Sequence, residues 1–146
     1  MSEEHFNVIV VGAGLAGLAA AYTLAKAGKE VLVIERGTVP GSKNVSGGRL
    51  YSYALEMIEP GLTTQARLER AVTHEQLMLL EDNRSVTLEY TDPSFNGEIP
   101  QSYTVLRAVF DEWFAEQVET QGVFIAAGVH VDDLIEGWQG GFAGEN

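Results

Sequence analysis

Residues 6–11, FNVIVV, form a short, nearly unbroken apolar run rich in β-branched side chains. That is the pattern of a strand buried on both faces in a parallel sheet. Gly12, Gly14 and Gly17 break the run, and residues 15–27 then carry the Ala and Leu content of a good helix, with Gly28 where a left-handed C-cap would close it. Residues 31–34 form a second β-branched run. Strand, glycine turn, helix, strand is the order of a βαβ unit.

Past Glu35 the periodicity fades. Residues 36–50, RGTVPGSKNVSGGRL, are dense in Gly, Ser and Asn and predict a loop. Residues 53–58 predict a short helix stopped by Pro60 and Gly61, and residues 75–80 and 86–90 flank a polar run from Glu81 to Ser85, which predicts an antiparallel hairpin. A loop is predicted over 91–102 and a strand over 103–106. Apolar positions 109, 110, 113, 114 and 118 then give residues 108–120 one buried helical face, closed by Gly122. Two further short strands are predicted at 123–126 and 130–135, and the tail from Glu136 has no periodicity. With no repeat and no long linker, 146 residues predict one domain. Its class is α/β: a Rossmann-like start with an antiparallel β insertion, incomplete at the C-terminal end.

Charge and composition narrow the function. Nine basic against 21 acidic side chains leave a net charge of −12, a field that repels nucleic acid and anionic lipid. No nucleic-acid role is expected. The chain has no Cys, so these residues hold no disulfide, thiolate nucleophile or cysteine-ligated iron–sulfur cluster. Any redox chemistry must come from a bound organic cofactor. Glu3 and Glu4 precede the first apolar run where a secretory signal would place positive charge, and no stretch approaches the ~20 apolar residues of a membrane span. The expectation is a soluble, cytoplasmic chain without a transmembrane segment.

The glycine excess, 16 in all, has a local cause at the first turn. A lone G-x-G-x-x-G is a weak signal, but here it follows a strand and opens a helix. Gly12 permits the tight turn, Gly14 offers no Cβ against a pyrophosphate, and Gly17 lets the helix approach the sheet; Ala16 lies between them. The helix N-terminus points unpaired N–H groups and a positive dipole end at that place. Glu35, 18 residues beyond Gly17 and followed by Arg36, stands where an acid accepts hydrogen bonds from the adenosine ribose and repels a 2′-phosphate. The alternative for Glu35 is a solvated strand-end acid. The motif leaves FAD against NAD open, and the Gly-rich loop and hairpin that follow it suit a flavin domain. Gly47 and Gly48, beside Asn44 and Ser46, bring backbone N–H groups against the far pyrophosphate or the flavin ring, or form a plain loop. Arg107, at a strand-to-helix junction, pairs with cofactor phosphate or ribitol, or is a surface Arg.

Other candidates are weaker. His5, His74 and His130 stand singly without metal-ligand spacing. Asp111–Glu112 and Asp132–Asp133 are neighbours that face different ways, so neither is an acid/base dyad. No catalytic side chain and no metal ligand is assigned.

VIVVGAGLAGLAAAYTLAKAGKEVLVIERG, followed by KNVSGGRLY and SYTVLRAVFDEWFAEQ, resembles the start of FixC-type proteins, bacterial flavoproteins related to electron-transfer-flavoprotein–quinone oxidoreductase. The resemblance covers residues 6 to about 135. It implies FAD as cofactor, with Gly12, Gly14, Gly17 and Glu35 on its ADP portion, the Gly47–Gly48–Arg49 loop along it, Arg107 in contact and Val131 reaching adenine through its backbone. It implies an oxidoreductase that takes electrons from an electron-transfer flavoprotein-like donor and passes them to an acceptor such as quinone. Proteins of that family run to several hundred residues, so the chain is expected to be a truncated N-terminal portion. The alternatives are another FAD enzyme of monooxygenase or geranylgeranyl reductase type, an NAD-binding dehydrogenase, and a non-catalytic fragment.

Overall fold

A computed structural model describes residues 5–92, 95 and 97–134. They fall into two compact units: one takes the described residues up to Lys43 and from Phe114 onward, the other runs from Asn44 to Trp113.

The first unit opens with strand β1 (Val8–Val11), helix α1 (Leu15–Lys26) and strand β2 (Val31–Glu35), as the βαβ reading predicts. β1 starts two residues later than the apolar run because Asn7 ends it: its Oδ1 accepts the Glu30 N–H at 2.9 Å. β1 and β2 pair in parallel, Val8 opposite Val31 through Val11 opposite Ile34. Strand β7 (Phe124–Ala127) joins the far side of β2, also parallel, giving the order β1-β2-β7. Leu18 and Ala21 of α1 and Val33 of β2 are completely buried, the sorting expected when alternate strand positions and one helical stripe share a core. The second half of helix α4 (Arg107–Glu119) completes this core, with Phe114 and Val118 buried and the Phe114 ring stacked on Tyr22 at 6.4 Å between centroids. Ile9 and Val11, the alternate positions of β1, stay about half exposed.

The second unit is antiparallel. Strand β3 (Gly47–Tyr51) pairs with strand β6 (Ser102–Leu106), Gly47 opposite Leu106 and Tyr51 opposite Ser102. Helices α2 (Ser52–Ile58) and α3 (Leu62–Gln65) follow β3. Strands β4 (Glu75–Glu81) and β5 (Arg84–Tyr90) form the hairpin, in register from Glu75 opposite Tyr90 to Glu81 opposite Arg84. Its core gathers Leu55, Leu62, Phe95, Val105, Phe110 and Trp113. No described helix is long and apolar enough to cross a membrane.

Two predicted elements need correction. Residues 47–50, read as loop, belong to β3. Two glycines offer no side-chain alternation to read, and the strand forms because β6 lies close enough that a Cβ on Gly47 would stand 3.2 Å from the Val105 carbonyl oxygen. Conversely, the described part of the predicted 130–135 strand is irregular. Aspartate competes with ladders through its own carboxylate: Asp132 Oδ1 lies 3.0 Å from His130 Nδ1, and Asp133 Oδ1 accepts the Leu134 N–H at 2.8 Å. Ile135 and the tail from Glu136 lie outside the described residues, as do Glu3, Glu4 and part of the 91–102 loop. Helix α3 escaped the sequence reading because four residues carry no period.

Candidate nucleotide-binding site

The turn between β1 and α1 is built by its glycines, each for a different reason. Gly12 has φ +100°, which an L side chain rarely adopts, and its N–H donates to the Ile34 carbonyl at 2.7 Å. Gly17 has no room for a Cβ: an ideal one would fall on the Gly12 carbonyl oxygen, well under the 3.0 Å that real Cβ atoms keep, and 3.2 Å from Val10 Cγ1. Gly14 is different. It caps α1 in an ordinary extended conformation, φ −74° and ψ 168°, and a Cβ there would meet nothing within 4 Å. Glycine is a favoured N-cap, but the crowding that fixes Gly17 does not fix Gly14, and its backbone stands open on the side a Cβ would take.

The N-terminus of α1 has no side-chain capping hydrogen bond and no acid in its first turn, so no side chain of the helix itself offsets the positive end presented by the amides around Ala16. Ala13 N–H, just before it, donates to Glu35 Oε2 at 2.8 Å, and Gly37 N–H donates to Glu35 Oε1 at 2.6 Å. Glu35 is therefore no free strand-end acid. Each carboxylate oxygen has two lone pairs, so each keeps one for a ligand hydroxyl.

A cleft of about 210 Å³ opens beside this turn, lined by Gly12, Glu35, Arg36, Val129, His130 and Val131 together with the strand ends Val11 and Ile34. It lies at the carboxyl ends of β1 and β2, the place where open parallel sheets bind ligands. Gly128 N–H to the Gly37 carbonyl at 2.8 Å and Val129 N–H to the Glu35 carbonyl at 3.0 Å fix its far wall. The structure thus brings Gly12, Glu35, Arg36 and Val131 around one cavity. Val129 and His130 went unassigned in the sequence; the signal that finds them is their place just past a strand end.

Gly47, Gly48, Arg49 and Arg107 belong to the second unit. β3 has a ladder partner on one edge only among the described residues. A Cβ on Gly48 would lie 3.9 Å from Arg107 Cδ, so the glycine and the arginine stem are neighbours. Arg49 is turned to other work: Nε donates to Ser102 Oγ at 2.9 Å, Nη2 to Gln101 Oε1 at 3.2 Å, Nη2 also pairs with Glu75, and the guanidinium lies 4.5 Å over the Tyr51 ring. Arg107 is held by the buried Asp111, through Nε to Oδ1 at 3.0 Å and Nη2 to Oδ2 at 2.9 Å. These bonds hold the arginine pKa above its usual value.

Comparison with known proteins decides the family. The profile described as FAD dependent oxidoreductase matches residues 7–123. The chain belongs to the FAD dependent oxidoreductases. Its cofactor is FAD, and the Gly14 space, the uncapped α1 amides and the half-engaged Glu35 carboxylate fit a dinucleotide. This flavoprotein chain is 48% identical to the Protein FixC of Salmonella typhi over 136 residues, 93% of the chain and 32% of that protein. It is 47% identical to the probable electron transfer flavoprotein-quinone oxidoreductase YdiS of Escherichia coli (strain K12), over 92% of the chain and 32% of that protein. It therefore spans about a third of the length of the curated relatives it matches. Among solved structures, a geranylgeranyl bacteriochlorophyll reductase-like protein from Thermoplasma acidophilum superposes with a TM-score of 0.73 at 22% identity, over 91% of this chain and 32% of that one. At that identity the likeness concerns the fold.

Proposed function

We propose that this chain is the FAD-binding portion of an oxidoreductase that carries electrons from an electron-transfer flavoprotein-like donor to an acceptor such as quinone, working in the cytoplasm. Its place in the FAD dependent oxidoreductase family and the names of its relatives support the reaction class. The observation that carries the binding site is the empty space at Gly14 beside the crowded Gly17. In this reading Gly12, Gly14, Ala16 and Gly17 lie against the ADP pyrophosphate, and Glu35 offers its remaining lone pairs to the ribose. Arg36 and the Val131 backbone flank the adenine side in the same cleft. The free edge of β3 at Gly47, Gly48 and Arg49 runs along the cofactor through its backbone, and Arg107 meets a phosphate. FAD supplies the electron-carrying ring, and every residue named here binds or positions it.

The test is titration with FAD followed by quenching of flavin fluorescence, with ADP as competitor and Gly14→Val as the variant. Because a Cβ at 14 meets nothing within 4 Å, the expected outcome is a folded variant that has lost FAD. Unchanged affinity in Gly14→Val would place the pyrophosphate elsewhere, and tight uptake of NAD with no FAD would sink the flavin reading. For the electron route, reduced electron-transfer flavoprotein is expected to bleach the bound oxidised flavin.

A further inference from the structure

Among the described residues Asp111 is the charged side chain with no exposed surface at all. Nothing in the cofactor reading uses it. A buried carboxylate persists only where donors replace its lost hydration, and three donors reach this one: Arg107 Nε at 3.0 Å, Arg107 Nη2 at 2.9 Å and Asn44 Nδ2 at 2.5 Å. The two arginine bonds form a side-on bidentate pair, which fixes the plane of the guanidinium as well as its charge. That arrangement consumes Nε and one edge of Nη2 and leaves the Nη1 end without a hydrogen bond among the described residues. The Arg107 side chain as a whole is 31% exposed. Its stem passes Gly48, and its backbone N–H donates to the Ser46 carbonyl at 3.2 Å, so the helix start is anchored to the segment that leads into β3.

We propose that Asp111, braced by Asn44, is a positioning residue: it holds the Arg107 guanidinium with its Nη1 end presented to a phosphate of FAD. The inference rests on the cofactor reading above. An arginine free to rotate loses side-chain entropy each time it is immobilised on a ligand, and the buried pair removes much of that cost before the ligand arrives.

A double-mutant cycle on FAD affinity tests it, using wild type, Asp111→Asn, Arg107→Met and the two combined, with Asn44→Ala alongside. Asp111→Asn is expected to weaken FAD binding about tenfold or more, and Asn44→Ala to weaken it less. In the Arg107→Met background Asp111→Asn is expected to cost nothing further, because the group it orients is gone. Equal costs in both backgrounds would show Asp111 to be structural only and overturn the inference, as would full FAD affinity in Arg107→Met. If Asp111→Asn fails to fold, Asn44→Ala, which leaves the ion pair intact, takes its place in the cycle and must lose its effect beside Arg107→Met. Wild-type chain that takes up no FAD at all would overturn the cofactor reading itself, whereas wild-type uptake with an unaltered Asp111→Asn overturns the positioning role alone.

Discussion

Replacing Gly17 by Ala adds one methyl group at the most crowded point of the first turn. The new Cβ would fall on the Gly12 carbonyl oxygen and 3.3 Å from its carbonyl carbon. Neither neighbour yields easily. Gly12 sits at φ +100° with its N–H tied to Ile34 at 2.7 Å, so moving its carbonyl means moving β1 against β2. Overpacking of this kind costs roughly 1–3 kcal/mol, and an immovable backbone obstacle puts this site near 3. Alanine's helix preference over glycine returns up to about 1 kcal/mol, leaving a net loss of about 2 kcal/mol. For a chain of this size each kcal/mol lowers Tm by about 2–4 °C, so a fall of ~4–8 °C is expected in a thermal melt of the apoprotein followed by circular dichroism.

Gly14→Ala is the control. The same methyl group three residues earlier meets nothing within 4 Å, and its expected cost is the weaker N-cap preference of alanine, a few tenths to about 1 kcal/mol. The reasoning is refuted if Gly17→Ala melts with or above the wild type, or if Gly14→Ala falls as far as Gly17→Ala.

Glu35→Gln keeps the side-chain shape but sets an amide N–H₂ against one of the two backbone donors, Ala13 or Gly37. It is expected to cost about 1–2 kcal/mol as a lower urea midpoint at unchanged m value, together with weaker FAD binding; an unmoved midpoint would show that the two short bonds contribute nothing. Glu56 accepts the Gly61 N–H at 2.7 Å and the Thr63 N–H at 3.1 Å, and its hydrogen bonding to Thr63 first, then to Gly61, holds its pKa below the ordinary 4.5. A lowered carboxylate pKa means that the stabilisation is complete above the unfolded value near 4.5 and is lost as pH falls through the folded one. Wild type is therefore expected to lose Tm more steeply than Glu56→Gln between neutral pH and the acid side of that value, and parallel curves would remove the role.

How much of this was legible depends on whether a residue's neighbours in the chain are also its neighbours in the fold. β1, α1, β2 and the three turn glycines were readable because a βαβ unit is local and each residue's task is fixed within about thirty positions. β3 was not, since its partner β6 lies far along the chain and Gly47 and Gly48 have no side chains to show a period of two. Asp111 was hidden for another reason. Read beside Glu112 it is one of two adjacent acids, yet Asp111 is buried and Glu112 exposed. The clue was present in the four-residue spacing between Arg107 and Asp111, which places both on one helical face. The 130–135 segment shows the opposite failure: its valine, leucine and isoleucine suggest a strand, but Asp133 offers the Leu134 N–H a local partner that competes with a ladder.

Glu35 and Asp111 share a design that the sequence pattern does not express. Each is an acid whose work in the unliganded protein is to fix a donor-bearing neighbour: Glu35 ties the Ala13 and Gly37 amides, and Asp111 fixes the Arg107 guanidinium. The Arg107 guanidinium, already held in place, does not have to be ordered when an anion arrives, so less of the gross interaction is lost on binding, whereas the Ala13 and Gly37 N–H groups are spent on fixing Glu35 itself. An acid serving this purpose carries a cost, because its negative charge partly offsets the attraction its neighbours exert on a phosphate. The arrangement is favourable only where the carboxylate is turned away from the ligand or shares it through hydroxyl groups. Under the proposed positioning role Asp111, fully buried, meets the first condition. Glu35, with one lone pair left on each oxygen beside the cleft, meets the second, and it is the ribose, bearing hydroxyls rather than charge, that such an acid is able to hold.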